Sequence, residues 1–199
     1  MSISIVGPTE HPVGSPMPDP TWVNTTSRSR DWSQELSPFF LGPVPLYANS
    51  PVPESRNVEN GWQFTKLYPE HIGPDGLPSE EYWEWATAGW QSKQAYRYPM
   101  GKGRKPKCSY WDGQLLTYIE ARKKIYVPMY AGAVVKTEAF QRCLSIHREH
   151  GTLTLWDFDG YPLPDGKTIK DVLNDPTRSM GHAFVLKYLL DKTLCADAP

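Results

Sequence analysis

The chain has 199 residues, enough for one domain with a sizeable core, and its 21 Lys and Arg nearly balance its 22 Asp and Glu. This balance argues against a global electrostatic pull toward nucleic acid or membranes, although it is compatible with a local charged patch. The three cysteines are odd in number and lack metal-ligand spacing, no apolar run approaches a membrane span, and the N-terminus shows no signal pattern. We therefore expect a cytoplasmic protein that needs no metal or redox cofactor and does not contact a membrane.

The first thirty residues differ in composition from the rest of the chain. They contain five prolines among Gly, Ser and Thr, with little apolar periodicity. Such a segment cannot sustain a helix or bury much surface, so residues 1–30 are predicted to form an extended proline-rich arm with Trp22 as its anchor. If the arm is ordered, it wraps the domain or a partner. Residues 31–193 are predicted to form a single domain.

Two helices are predicted in the first half of this domain, after a stretch (residues 32–53) that prolines confine to edges or loops. The first helix is capped by Ser55 or Asn57 and stops before Pro69. Ser79 caps the second, in which an aromatic stripe that includes Trp90 is typical of a core.

The second half is predicted to be mostly helical. A loop over residues 98–107 combines Gly with Lys and Arg, which suits a phosphate, although most such charge runs are solvated loops. The elements that follow are a helix from Gln114 to Val127 broken by Pro128, which can start the next turn, a helix from Thr137 to His150 ending at Gly151, a strand from Leu153 to Trp156, a turn over residues 162–167, a short helix over residues 169–173 and a last helix over residues 180–190. The predicted fold class is therefore mainly α (α+β), a single multihelical domain with a few short strands.

Two groups of acidic residues indicate chemistry at a sugar carbon. In the first helix, Glu59, Gln63 and Lys66 recur at i, i+4 and i+7 and share one stripe, although a solvated helix face has the same spacing. Asp157 and Asp159 follow the predicted strand, where the alternative is that they cap or turn the chain. Cleavage of an N-glycosidic bond builds positive charge on the sugar. A carboxylate can stabilise that charge, act as a nucleophile or orient a water molecule.

The order of these segments resembles the NADAR family of YbiA-like N-glycosidases. The resemblance covers residues 35–191 in order and implies a YbiA-like domain. The segments that carry it are Ser37-Pro38-Phe39, the Glu59, Gln63 and Lys66 helix, the helix from Tyr118 to Tyr130, Asp157 to Gly160, and Arg178-Ser179-Met180-Gly181 leading into Phe184 to Leu190.

The chain departs from the family pattern at four places. Pro38 stands where the family has Asn, and Asn60 where a His often follows the Glu. Asp159-Gly160 replaces Trp-Gly, and Arg178 replaces an Asn of the final segment. Since these positions would surround the ligand, we expect the scissile chemistry to be kept while the leaving group differs.

The resemblance implies hydrolysis of an N-glycosidic bond in a nucleotide, in an ADP-ribosylated small molecule or in modified nucleic acid. By analogy, Glu59 is the catalytic carboxylate, with Asp157 and Asp159 as the second acidic candidates. Lys66 would hold a phosphate or tune the pKa of Glu59, and Gln63 would bind a ribose hydroxyl. The remaining candidates are Trp62, Trp90 and Trp156 for stacking the base, Arg122 and Arg178 for phosphate, Gly181 beside them, and His182 as a proton donor to the leaving nitrogen.

Two other functions stay open at this point. The first is a module that binds and sequesters ADP-ribose or a related nucleotide without cleaving it. The second is an interaction protein that forms homo-oligomers through the proline-rich arm. For His182, the alternative is a structural histidine at a helix start.

Overall fold

The computed structural model describes residues 2–196 and divides the chain into two compact units. The first unit combines the residues up to Ser37 with those from Tyr130 onward, and the second unit covers Pro38–Met129. Each unit contains both helices and short strands, so the fold is a mixed α/β fold. The YbiA-like architecture and the domain border at residue 30 stay predictions.

The structure forms eight strands and seven α-helices within the described residues. The strands are β1 (Ser2–Val6), β2 (Trp22–Asn24), β3 (Val44–Pro45), β4 (Glu54–Ser55), β5 (Lys66–Leu67), β6 (Cys108–Trp111), β7 (Gln114–Leu116) and β8 (Thr152–Trp156). The helices are α1 (Val58–Gln63), α2 (Glu80–Gln91), α3 (Tyr118–Ala121), α4 (Val127–Val134), α5 (Glu138–His150), α6 (Ile169–Asn174) and α7 (His182–Ala196), with 3-10 turns at Trp32–Leu36 and Pro69–His71 and a π-helical turn at Arg122–Tyr126. No helix within residues 2–196 is both long and apolar enough to cross a membrane.

A parallel sheet with the strand order β1-β8-β2 organises the first unit. Ser2–Val6 pairs with Thr152–Trp156 along its whole length, and Trp22–Asn24 pairs with the end of the same strand. Because the three strands are parallel, their carboxyl ends lie at one edge of the sheet, the edge at which open α/β sheets bind ligands. Helices α5 and α7 both pack against this sheet.

The sheet corrects one expectation about the first thirty residues. We expected this segment to bury little surface, but Ile3, Ile5 and Val23 are all buried. The reason is that β1 and β2 flank β8, so that alternate side chains of these short strands enter the core. The prolines lie between or before these strands and do not interrupt them.

Both predicted ends of helix α5 in the first unit are confirmed by their caps. The hydroxyl of Thr137 accepts a hydrogen bond from the Phe140 N–H at the start of α5, and Gly151 ends that helix with a φ of +71°. The strand predicted at Leu153 to Trp156 is confirmed as β8. The last helix begins at His182 and continues to Ala196, beyond the predicted end.

The core of the second unit is aromatic. The hydroxyl of Ser79 accepts from the Tyr82 N–H and caps α2, as predicted. Tyr82 and Trp90 on this helix are fully buried and pack against Phe64, which confirms the core interpretation of the aromatic stripe.

Helix α1 is shorter than predicted. It ends at Gln63, and Lys66 lies on strand β5. The helix stops there because the neighbouring backbone bonds elsewhere: the carbonyl of Thr65 accepts from the Tyr110 N–H at 2.7 Å, and Lys66 pairs with Ser109 of β6. Strand pairing therefore overrides the helical pattern at residues 64–66, the end of the stripe that runs from Glu59 to Lys66.

The helix predicted from Gln114 to Val127 is wrong at both ends. Gln114–Leu116 is strand β7, which follows a turn at Asp112 and Gly113, both with positive φ. An Asp-Gly pair between two extended segments is the sequence signal of such a hairpin. At the other end, Pro128 does not break the helix, because a π-helical turn directly before it changes the hydrogen-bonding register and Pro128 then occupies the first turn of α4.

Candidate active site

A chain of hydrogen-bonded side chains links Glu59 to Lys66 in the second unit. The Gln63 amide Nε2 donates to Glu59 Oε1 at 2.9 Å, and Lys66 Nζ donates to Gln63 Oε1 at 2.6 Å. Glu59 is 6% exposed, and Gln63 is equally buried. The three residues of the predicted stripe are thus joined into one network, with Lys66 reaching it from β5.

The chemistry of Lys66 fixes the orientation of the Gln63 amide. A lysine ammonium has only donors, so the amide oxygen must face Lys66 and the amide nitrogen must face Glu59. Glu59 is therefore the acceptor at the end of this chain. Burial strengthens each of these bonds, because water does not compete for the donors and acceptors. The network holds the Glu59 carboxylate in one orientation and connects it to a cation.

The electrostatics of Lys66 reflect this setting. Burial lowers the pKa of Lys66 to about 8, and the negative charge of Glu59 partly opposes that shift. The ammonium also lies 5.0 Å from the centroid of the Trp62 ring, a cation–π distance. Lys66 therefore changes its charge near neutral pH, close to both an acid and an aromatic ring.

Aromatic and cationic side chains continue from this network. The Trp62 ring lies 6.4 Å from Tyr118 and 5.4 Å from Tyr126, measured between ring centroids. Arg122 donates to the Tyr118 hydroxyl at 2.8 Å, and its guanidinium lies 4.2 Å from the centre of the same ring. Tyr118 is 45% exposed, whereas Arg122 is 1% exposed. Tyr118 therefore presents ring surface to solvent while Arg122 supports it from within.

Tyr118 and Tyr126 were not predicted as site residues. They lie at i−4 and i+4 from Arg122, on one helical stretch, and this spacing was the available signal. Tyr118 starts α3 after a capping box, in which the Thr117 hydroxyl and the Glu120 carboxylate exchange hydrogen bonds with each other's backbone N–H groups.

The neighbours of Glu59 in sequence hold helix α1 in place. Asn57 Oδ1 caps the helix by accepting from the Asn60 N–H at 2.8 Å, and the Glu59 N–H donates to the carbonyl of Pro38 at 2.9 Å. The side chain of Asn60 accepts from the Tyr96 N–H and donates to the Gln94 carbonyl. Pro38 and Asn60 are two of the positions at which the chain differs from the family pattern. Pro38 positions Glu59 through its backbone carbonyl, and Asn60 does so through its side-chain amide.

Asp157 belongs to the first unit and has different partners. It follows β8 at the carboxyl edge of the sheet, where it accepts from the Ala183 N–H at 3.1 Å and from the Asp159 N–H at 3.3 Å. Ala183 is in the first turn of α7, so the carboxylate lies at the positive end of that helix. Asp157 therefore ties the end of a strand to the start of a helix.

His182 completes this buried group. Its Nδ1 lies 3.2 Å from Asp157 Oδ2, and its Nε2 lies 2.7 Å from the carbonyl oxygen of Thr25. Because a carbonyl only accepts, Nε2 carries a hydrogen and donates it to Thr25. Both ring nitrogens thus face oxygens of the scaffold, which is the pattern of a structural histidine. The role of His182 as a proton donor stays a prediction.

The other predicted site residues lie in varied surroundings. Gly181 packs so closely on Asp157 that an added Cβ would collide with its carboxylate. Trp156 is buried and donates through Nε1 to the carbonyl of His11. Arg178 lies 4.0 Å from the centre of the Tyr161 ring. Trp90 is fully buried in the core of the second unit and offers no ring surface to solvent.

The structure therefore brings five of the predicted residues into one cluster of contacts, namely Glu59, Trp62, Gln63, Lys66 and Arg122. Asp157 and His182 form a separate group of contacts within the first unit, together with Gly181 and the backbone of Asp159. Throughout the part of the chain that the structure describes, no three His, Cys, Asp or Glu side chains are grouped as metal ligands. When compared with models of protein families, with curated proteins and with solved structures, the chain matches none of them.

Proposed function

We propose that this chain is a hydrolase that cleaves an N-glycosidic bond in a ribosylated nucleobase or an ADP-ribose conjugate, with Glu59 as the catalytic carboxylate. The observation that carries the proposal is the buried chain from Glu59 through Gln63 to Lys66, next to the ring of Trp62. A buried acid that accepts from a bridging amide and is linked through it to a cation is the arrangement of a positioned functional group.

In the proposed reaction, the bond between the anomeric carbon and the base nitrogen breaks, and the base keeps the bonding electrons. The sugar becomes cation-like, and the negative charge of Glu59 stabilises it. Glu59 also accepts a proton from the attacking water, whose oxygen forms the new bond to the anomeric carbon. The departing nitrogen takes one proton from solvent, and Glu59 returns the proton that it accepted to solvent, so the products are a free base and a sugar with an anomeric hydroxyl.

The residues around Glu59 are assigned to binding the substrate. Lys66 is the cation that we assign to a phosphate of the substrate, because it lies at the end of the chain that begins at Glu59. The exposed ring of Tyr118 is suited to stack on a planar base, and the largely buried ring of Trp62 packs beside it. Arg122 is almost fully buried beneath Tyr118, and we assign it the support of that ring rather than a direct phosphate contact.

A second candidate is a nucleotide-binding module that sequesters its ligand without cleaving it. The observation that favours it is the Trp62, Tyr118 and Arg122 cluster, which offers stacking surface without requiring any chemistry. The Glu59 carboxylate would then serve to orient Gln63 within the binding site.

The two candidates are separated by the substitution Glu59→Gln. The purified protein is incubated with NAD, ADP-ribose, ADP-ribosylated guanine in DNA and phosphoribosyl pyrimidines, and the products are identified by mass spectrometry. Glutamine has nearly the same shape and its oxygen can still accept from Gln63, so binding is expected to persist while bond cleavage is lost. Glu84→Gln is the matched control, because Glu84 is an exposed acid on α2 in the same unit.

Release of a free base by the wild type and the control, but not by Glu59→Gln, supports the glycosidase. Retention of one intact ligand by all three proteins supports the sequestering module. Equal cleavage by wild type and Glu59→Gln would remove Glu59 from the reaction.

A further inference from the structure

One stretch of the second unit is strongly basic although the whole chain is nearly neutral. Between Glu84 and Asp112 there is no acidic residue. The same interval contains six cations, which are Lys93, Arg97, Lys102, Arg104, Lys105 and Lys107. The balanced composition therefore conceals a local excess of positive charge, which the proposed glycosidase site does not use.

These cations are displayed on a loop that precedes β6. Lys102, Lys105 and Lys107 are exposed, and none of them pairs with a carboxylate of residues 2–196. Gly101 and Gly103 have φ values of +96° and +89°, which turn the loop tightly between them. A high density of uncompensated lysines on such a loop attracts anions, and most strongly those that carry several charges in a row.

Two contacts fix the loop to the rest of the second unit. Arg104 forms an ion pair with Glu70, and the Lys107 N–H donates to the carbonyl of Leu67 at 2.8 Å. The second contact continues into the pairing of β5 with β6. The lysines are therefore presented from an anchored loop, which reduces the entropy lost when they bind a partner.

An aromatic side chain stands among these charges. Tyr98 is 51% exposed, and the guanidinium of Arg97 lies 5.6 Å from the centre of its ring. Cations that follow a phosphate backbone, combined with an exposed ring on which a base stacks, are the features of a surface for single-stranded nucleic acid. A surface for anionic lipid would instead combine its cations with large apolar side chains. Tyr98 is the one large hydrophobic side chain exposed in this stretch.

We propose that the loop of residues 97–107 binds single-stranded nucleic acid, with its lysines on the phosphates and Tyr98 stacked on a base. The proposal does not rest on the function proposed for Glu59, because it concerns binding alone. If both hold, the substrate of the Glu59 site is a base carried by a nucleic acid strand.

The test is the binding of a fluorescent single-stranded oligonucleotide to the full chain, followed by anisotropy at several salt concentrations. The variant Lys102→Ala/Lys105→Ala is expected to lower the slope of log affinity against log salt by about 1.4, since each phosphate contact contributes about 0.7 for single strands. The variant Tyr98→Ala is expected to weaken binding about tenfold through lost stacking. Lys170→Ala/Lys192→Ala removes the same charge from exposed positions in the first unit and serves as the control.

Several outcomes would overturn the proposal. They are an unchanged salt slope in Lys102→Ala/Lys105→Ala, an equal loss of affinity in the control, equal affinity for duplex and single strand, and binding to anionic vesicles without binding to the oligonucleotide. Glu59→Gln is expected to bind the oligonucleotide as the wild type does. Loss of cleavage in that variant therefore leaves this proposal standing, and loss of binding in the loop variants leaves the glycosidase standing.

Discussion

Glu59 and Asp157 are both buried carboxylates, but the groups around them differ. Glu59 accepts from the Gln63 side chain, and the same network continues to the Lys66 ammonium. Asp157 accepts from the Ala183 and Asp159 N–H groups. It also lies against the imidazole of His182, which donates a hydrogen bond to the carbonyl of Thr25. A carboxylate that holds backbone groups stabilises the fold, whereas one held by side chains is a stronger candidate for function.

The comparison also shows why a count of acidic residues is a weak guide to a site. Glu59 lies in the first turn of α1 and Asp157 directly follows β8, and each precedes a glycine by two or three residues in the sequence. What separates them is the identity of the donors: a side-chain amide donates to Glu59, whereas backbone N–H groups donate to Asp157, one of them from the distant Ala183.

The first prediction concerns activity at Glu59. If the proposed function is right, Glu59→Gln lowers turnover by about a hundredfold to ten-thousandfold, because the substitution removes the proton acceptor and the negative charge. The free energy of unfolding is expected to change less than in Asp157→Ala, because the new amide oxygen still accepts from Gln63. Turnover by mass spectrometry and urea unfolding measure the two effects. A large loss of stability would place Glu59 in the same class as Asp157.

The second prediction concerns stability at Asp157. Asp157→Ala removes the acceptor for two backbone N–H groups and the charged neighbour of His182, and it is expected to cost about 3–5 kcal/mol of unfolding free energy. Urea unfolding followed by circular dichroism measures the change. Asp165→Ala, in an exposed turn, is the control and is expected to stay within about 0.5 kcal/mol of the wild type. An equally stable Asp157→Ala would contradict the scaffold role.

The third prediction tests the close packing around the same carboxylate. Gly181→Ala places a methyl group against Asp157 and is expected to cost about 1–3 kcal/mol. Gly132→Ala is the matched control, because no atom lies within 4 Å of its added Cβ and it is inside α4. The control is expected to stabilise the chain by up to about 1 kcal/mol through helix propensity. Thermal unfolding of the two variants measures this difference in stability. Destabilisation of both variants by the same amount would contradict the packing argument.

The fourth prediction concerns the charge of Lys66. Because the pKa of Lys66 is lowered to about 8, its positive charge is present at pH 7 and mostly lost at pH 9. Under the proposed role, the affinity for ribose 5-phosphate is expected to fall about tenfold between these pH values, since the phosphate is already fully ionised there. Lys66→Arg is expected to keep its affinity across the range, and Lys66→Met is expected to bind weakly at both values. Isothermal titration at each pH measures this, and an unchanged wild-type affinity would contradict the role.

The lowered pKa of Lys66 also makes the free energy of unfolding depend on pH, in a defined direction. The folded-state pKa of Lys66 is lower than that of the unfolded chain, so the unfolded chain binds more protons between pH 8 and the ordinary value of 10.5. The contribution of Lys66 to the free energy of unfolding therefore rises with pH across that window. Below pH 8 the cost of burying the charged form is fully present.

The sequence predicted the elements that local signals define. Ser79, Thr137 and Gly151 cap their helices as expected, because a cap is a contact between residues close in the chain. The contact between Glu59 and Gln63 was also legible, since neighbours on a helix are set by spacing alone, whereas Lys66 reaches the same network from β5. The Asp-Gly pair before β7 was an equally local signal. It predicts a hairpin at this position, where a helix was expected instead.

Tertiary structure decided the rest, because it depends on partners that are far apart in sequence. Pairing with β6 ended α1 early and moved Lys66 onto a strand, yet its ammonium still reaches Gln63. Pairing of β1 and β2 with β8 turned a proline-rich segment into part of a buried sheet. The Ala183 N–H that donates to Asp157 and the Thr25 carbonyl that accepts from His182 likewise come from other segments. The sequence by itself determined which side chains were present and which caps would form. Only the packed chain determined that Glu59 accepts a hydrogen bond from a side chain, whereas Asp157 accepts from backbone N–H groups.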